Sequence, residues 1–304
     1  MASSLARTTL FSLLTLTFCF VLFEPAWAQG DRDYRSARSR GEPRMTLLQW
    51  SYGTSFQGGA PGRDEPLAAD RPDFTETSVT VGRGVAQLEA GYTYAWNQDG
   101  GDQLRSHSYP ETLLRVGVLA EWLELRVGWN YAEQMVRAGG IVGSDSGSAD
   151  LYLGLKLATT PQEGLLPETV LIPQMTVPSG SSAFTAGEVL PGLNWIYAWE
   201  LSDCLFVAGS TQGNGAIDDS TGRRYLEIAQ SAVVGYRLTD RVGAYTEWFA
   251  FFPYSADSAK PVHFFNGGFT FLVHNDLQLD VRAGLGLNEA AEDYFLGVGS
   301  AFRF

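Results

Sequence analysis

The sequence predicts an all-β fold, a transmembrane antiparallel up-and-down β-barrel of about twelve strands. Three observations carry the prediction. The chain ends on Tyr294-Phe-Leu-Gly-Val-Gly-Ser-Ala-Phe-Arg-Phe304, where Tyr294, Leu296, Val298, Phe302 and Phe304 alternate with Gly297, Gly299, Ala301 and Arg303. Segments of about ten residues repeat this alternation, the length a tilted strand needs to cross a bilayer. The connections between them fall into short turns and longer polar loops, as in barrels with one plain and one elaborated rim.

Taken in order, Met1–Ala28 has Arg7, the apolar run Leu10–Phe23 and the small-x-small site Ala26-Trp27-Ala28. The run is short of the roughly twenty residues a spanning helix needs, so residues 1–28 read as a cleaved secretory signal. The signal holds one Arg and one Glu, and the formal charge stays at −13 without it. Cys204 is then the single remaining cysteine, which excludes an intrachain disulfide. Residues 29–69 read as a flexible N-terminal periplasmic segment and loop, with Arg32, Arg35, Arg38, Arg40 and Arg44 among polar residues and little to bury. An exported basic run of this kind points to no nucleic acid.

The barrel is expected over residues 70–304. Its clear strands are Gly84–Asn97, Trp122–Tyr131, Asp150–Ala158, Leu277–Leu287 and Tyr294–Phe304. Fainter ones are Tyr109–Leu119, Glu168–Val177, Val189–Trp199, Leu205–Thr211, Arg224–Leu238, Val242–Phe252 and Val262–Val273. The apolar faces should meet lipid. The opposite faces carry Glu89, Glu111, Arg115, Glu124, Arg126, Lys156, Glu227, Arg237, Glu247, Asp280, Arg282 and Arg303, which would line the lumen. That arrangement serves equally as a polar conduit or as a ladder of ion pairs that stiffens or plugs the barrel.

Short turns are expected near Ala120-Glu121, Leu201–Asp203, Thr239-Asp240 and His274–Asp276, with Thr160–Pro167 as an irregular break. Longer loops are expected at Gln98–Ser108, Glu133–Ala149, Gln212–Arg223, Pro253–Pro261 and Asn288–Asp293. Tyr94, Trp96, Trp129 and Tyr131 then sit near the outer interface and Trp195, Tyr197 and Trp199 near the periplasmic one, as amphipathic rings favour the headgroup level. Loop acids including Asp99, Asp102, Asp145, Asp218, Asp219 and Asp257 form a rim that repels anions, or that shares divalent ions with lipopolysaccharide. Of the histidines, His107 lies beside Ser106 and Ser108, but sequence adjacency supplies no catalytic geometry. No catalytic residue, metal site or cofactor is expected.

Two further motifs, Asp70-Arg71-Pro72-Asp73-Phe74-Thr75-Glu76 and Gln87-Leu88-Glu89-Ala90-Gly91-Tyr92, are joined by a short strand and the turn Gly82-Arg83-Gly84. This pattern resembles the outer-membrane transporter family named for the meta pathway of phenol degradation, over about three-quarters of the chain. The resemblance implies a barrel in the bacterial outer membrane that admits small compounds, aromatic ones among them, and the closing strand ending on Phe304 resembles the signal read by the barrel-insertion machinery. Within the first motif Asp70, Arg71, Asp73 and Glu76 are candidates for a luminal latch, or for salt bridges pinning the first hairpin. If this run and Met45–Phe56 joined the sheet, the count would rise to about fourteen strands, still even. The expected function is passive passage of small solutes, small aromatic or hydrophobic compounds among them. The alternatives are a gated transporter for hydrophobic compounds, similar to the fatty-acid channels, and a closed structural or adhesive barrel without transport.

Overall fold

The computed structural model describes residues 46–49, 60–62 and 64–304. The signal over residues 1–28 and most of the lead-in over residues 29–69 lie outside the described residues. The strands are β1 (Ala86–Asp99), β2 (Asp102–Gly117), β3 (Leu123–Ala138), β4 (Ile141–Ser148), β5 (Leu151–Thr160), β6 (Glu168–Val177) and β7 (Leu190–Ser202). They continue as β8 (Leu205–Ile217), β9 (Arg224–Arg237), β10 (Val242–Tyr254), β11 (Val262–His274), β12 (Leu277–Gly286) and β13 (Tyr294–Arg303).

Apart from β4 and β5, neighbours in sequence pair antiparallel, and the sheet closes where β1 meets β13, from Gln87↔Arg303 to Trp96↔Tyr294. Twelve strands form the closed ring, and β4 is a thirteenth that pairs with the upper half of β3 while β5 pairs with the lower half. Closure matters because it leaves no backbone edge to face lipid.

The side chains sort by parity into an inside-out protein. Val298 and Leu285 are about half exposed, at 51% and 52%, whereas Glu89, Arg115 and Lys156 on the other face are 0% exposed. Burial of charge and exposure of leucine is the reverse of a water-soluble core, and it is what a lipid-facing wall around a polar lumen requires.

The structure differs from the sequence reading in three places. Stretches expected as loops are β-structure at Gln98–Ser108, at Glu133–Ala149 and over the first half of Gln212–Arg223: β2, β3 and β4 run on to tight turns at Gly100-Gly101 and Gly139-Gly140, and β8 runs on to Ile217. Positive φ at Gly100, Gly139 and Gly140 makes those turns possible, and polar residues on both faces hid the strands from a periodicity test. Second, β2 carries a bulge in which Pro110 and Glu111 oppose Asn130 alone. The extra residue shifts parity, so Tyr109 and Tyr131 pair on the outer wall while Glu111 turns inward. Third, Asp70–Glu76 joins no strand, and the ring closes at twelve rather than fourteen.

The aromatic rings do form bands on the outer wall. Trp96 stacks with Tyr294, Tyr94 meets His107, and Tyr109 meets Tyr131 toward the end bearing the longer connections. Trp195, Tyr197 and Trp199 form a second row near the short-turn end, where the Trp199 indole N–H donates to the Leu165 carbonyl at 2.8 Å.

Candidate functional site in the barrel lumen

The segment that precedes β1 lies inside the barrel. It enters at the short-turn end, where Leu67 N–H donates to Asn275 O at 2.7 Å. It reaches across the lumen at Arg71–Thr75 and returns to the same end, where the Thr80 hydroxyl donates to Glu121 O at 2.5 Å. An irregular segment has no ladder to satisfy its backbone donors, and wall carboxylates take that role. Glu89 accepts from the N–H groups of Asp70 and Arg71, at 3.0 and 3.1 Å. Glu247 accepts from those of Phe74 and Thr75, each at 2.7 Å, and Glu124 accepts from Val81 N–H at 2.9 Å. These are charge-assisted bonds, stronger than their neutral counterparts.

Around this segment the luminal charges form a connected lattice. Asp70 meets Arg126 at 2.6 Å, Lys156 at 2.8 Å and Arg115 at 3.3 Å. Arg115 also binds Glu124 at 2.8 Å and Glu89 at 3.0 Å, and Arg126 pairs with Glu76. Arg71 reaches Glu111 at 2.8 Å and Asp280 at 3.4 Å. Its guanidinium lies flat over Gly91 and Gly299, where a Cβ would fall within 2.3 and 2.2 Å of it. Burial by itself would raise the Asp70 carboxyl, but Arg115, Arg126 and Lys156 together hold it well below the usual carboxylate range. Asp73 goes the other way: burial and the nearby Glu247 carboxylate push it well above that range.

The lumen is chemically two-sided. On β10, β11 and β13 an aromatic wall of Phe249, Phe264 and Phe295 encloses Ala95 and Ala291. Phe74 of the luminal segment stacks on Phe249 at 4.7 Å between ring centroids. Toward the end bearing the longer connections, the wall of β5 to β8 is neutral and polar: the Tyr152 hydroxyl donates to Gln174 Oε1 at 3.1 Å, and Gln174 Nε2 donates to Asn214 Oδ1 at 2.8 Å; further down the same strands Lys156 joins the charged lattice and Ala158, Val170, Ile172 and Ile196 pack as a buried apolar cluster. Against the neutral wall lies a cavity of about 360 Å³, bounded by the luminal segment from Asp70 to Glu76 with Phe74 in its lining, and a second of about 210 Å³ shares Tyr152 and Gln174 with it.

Of the residues singled out from sequence, Glu89, Arg115, Glu124, Arg126 and Lys156 meet in one buried cluster with Asp70 and Glu76. Glu111, Asp280 and Arg282 gather around Arg71, and Glu247 sits under Phe74. Glu227 is half-buried and faces the far end of β9, while Arg237 is exposed at the short-turn rim. Neither joins the lattice. Arg303 instead ties the entry of the luminal segment, donating to Glu65 O at 2.8 Å and to Asp276 at 2.7 Å. The aromatic wall escaped the sequence reading. Its signal was present in Phe249-Ala250-Phe251-Phe252, which is apolar on both faces where neighbouring strands alternate. Among the rim acids, Asp218 is 1% exposed, because it accepts from the N–H groups of Ser220, Asp257 and Ser258 and so staples two long loops.

A closed antiparallel ring with lipid-ready outer face, aromatic bands and a charged lumen defines a β-barrel of the outer-membrane class. Residues 69–304 match the family described by the MetA pathway of phenol degradation, and the chain belongs to that family. It is similar in fold to an outer membrane channel from Pseudomonas putida F1, at 16% identity and a TM-score of 0.58, covering 77% of this chain and 99% of that one. The transport unit of the autotransporter AIDA-I from Escherichia coli aligns at 7% identity and a TM-score of 0.50, over 72% of this chain and 89% of that one. No curated protein matches the sequence.

Proposed function

We propose that the protein is a channel of the bacterial outer membrane for passive passage of small solutes, with the luminal segment as its constriction. The observation that carries this reading is the cavity of about 360 Å³ that ends on Asp70–Glu76 inside a closed twelve-stranded ring. A purely structural barrel of this size would fill its lumen with wall side chains, as eight-stranded barrels do. Here a separate chain segment does the closing, held by wall carboxylates through bonds that can be exchanged without unpicking the sheet. The aromatic wall and the family's description together support small aromatic or hydrophobic compounds as candidate cargo. In this reading the short-turn end faces the periplasm, Phe304 serves the insertion machinery, and the rim acids left free of loop capping meet lipopolysaccharide.

A second reading, a closed barrel that only presents its loops, draws on the density of ion pairs around Asp70. Planar-bilayer conductance separates the two. The channel reading expects steady current that rises when Glu247→Gln loosens Phe74 and Thr75. A folded barrel that stays silent with and without that change would overturn it.

A further inference from the structure

We infer that the outer wall of β2 and β3 carries a site for a phosphate group of an outer-leaflet lipid, formed by the guanidiniums of Arg105 and Arg137. The inference rests on one part of the channel reading, that the longer connections face outward in the outer membrane. Arg105 lies over the Trp96 ring, 4.6 Å from its centroid, and Trp96 stacks with Tyr294. The cation therefore stands within the aromatic band, at the level where headgroups meet a barrel wall. Arg105 opposes Met135 and Gln103 opposes Arg137, in a ladder unbroken from Gln103 to Tyr109. Arg137 is thus a diagonal neighbour of Arg105 on the same face, about 7–8 Å away and within common reach of two long side chains. Both side chains are exposed.

The charge of this pair is uncompensated, although the chain as a whole carries −13. Toward the same end Arg223 pairs with Asp257 and Arg224 with Glu188, whereas neither Arg105 nor Arg137 has a carboxylate within ion-pair distance among the described residues. The nearest acid in register on that face is Glu133, two residues below Met135, and it accepts from the Tyr109 hydroxyl lower on the wall. Stacking on Trp96 occupies the face of the Arg105 guanidinium and leaves N–H donors on its edge. Two such forks on one side of a wall match the oxygens of a phosphate in geometry and in charge. Below them Tyr92, Tyr94 and Tyr109 gather around His107, whose Nδ1 shares a hydrogen bond of 2.8 Å with the Tyr92 hydroxyl. A free phosphate would meet only the forks. A phosphorylated lipid also lays its body along these rings, so the lipid is the occupant the surface fits.

The test is native mass spectrometry of the full mature chain in detergent micelles, titrated with diphosphoryl lipid A, with the same lipid stripped of its phosphates, and with inorganic phosphate. Diphosphoryl lipid A should bind about tenfold or more tightly than the stripped lipid, and an equal concentration of inorganic phosphate should not displace it. Arg105→Gln with Arg137→Gln should weaken lipid A by about tenfold, with the stripped lipid little changed and the heat-modifiable gel shift of the folded barrel retained. Arg223→Gln, which removes a cation already paired with Asp257, should leave binding as it is. Equal binding of the two lipids, displacement by inorganic phosphate, or a double variant with wild-type affinity would each overturn the inference. Orientation is read separately, by labelling sealed cells with a membrane-impermeant amine reagent at Lys260, which is exposed in the connection between β10 and β11. Labelled Lys260 without a preference for lipid A sinks only the site. Unlabelled Lys260 sinks the orientation of the channel reading, and with it the outer-leaflet lipid as the occupant.

Discussion

Asp70 is the residue on which the luminal lattice depends, because one carboxylate faces three buried cations. Asp70→Asn should lower stability by about 3–5 kcal/mol, the cost of leaving buried charge uncompensated, read as a fall in the midpoint of thermal or denaturant unfolding. Its folded-state proton affinity is depressed, so its contribution is present above the ordinary carboxylate value of about 3.9 and is lost only as pH falls through the lower folded value. Asp73 has the opposite sign. Facing Glu247 and Tyr245 of β10, Asp70 of its own segment and Arg282 of β12, it is raised, so it stabilises at low pH and costs stability as pH rises through its folded value. Asp73→Asn should therefore leave neutral-pH stability unreduced and flatten the rise in stability on mild acidification, whereas Asp70→Asn should not flatten it. Unfolding midpoints measured from pH 4 to 8 check both.

At the scale of elements, the luminal segment is the part whose conformation the wall imposes. Glu247→Gln replaces an acceptor of two backbone N–H groups with an amide that opposes one of them, at a cost of about 1.5–3 kcal/mol. Hydrogen exchange should speed up at Phe74 and Thr75 while the amides of β10 keep their protection. On β1 and β13, Gly91 and Gly299 leave the flat space that Arg71 fills. Gly91→Ala with Gly299→Ala should expel the guanidinium from Glu111 and Asp280 and raise single-channel conductance; unchanged conductance would show that Arg71 does not set the constriction. The same element explains part of what the sequence left hidden. The motif from Asp70 to Glu76 stood out by its composition, but its partners Glu89, Glu247 and Asp280 lie 18 to 209 residues away from the groups they hold. No local pattern encodes such a pairing.

For the whole molecule, the lipid face governs insertion. Val298 pairs with Val281 and with Tyr92 midway along three adjacent strands, and Val298→Arg should cost about 2–4 kcal/mol in membrane folding titrations, against little effect for a comparable change at the rim. The twelve strands were legible because a barrel wall between lipid and a polar lumen must alternate at period two, and the closing strand to Phe304 repeats that rule without interruption. Strand extents beyond the bilayer were not legible in β2, β3 and β4, since water on both sides removes the alternation. Sequence alone therefore determined the wall, its inward charges and its membrane-crossing class, all consequences of local periodicity. Only the tertiary structure decided that the lumen is crossed by residues 67–84 and which carboxylates hold them there. Those outcomes depend on charges brought together across the barrel, and distance in space is set by ring closure rather than by spacing along the chain.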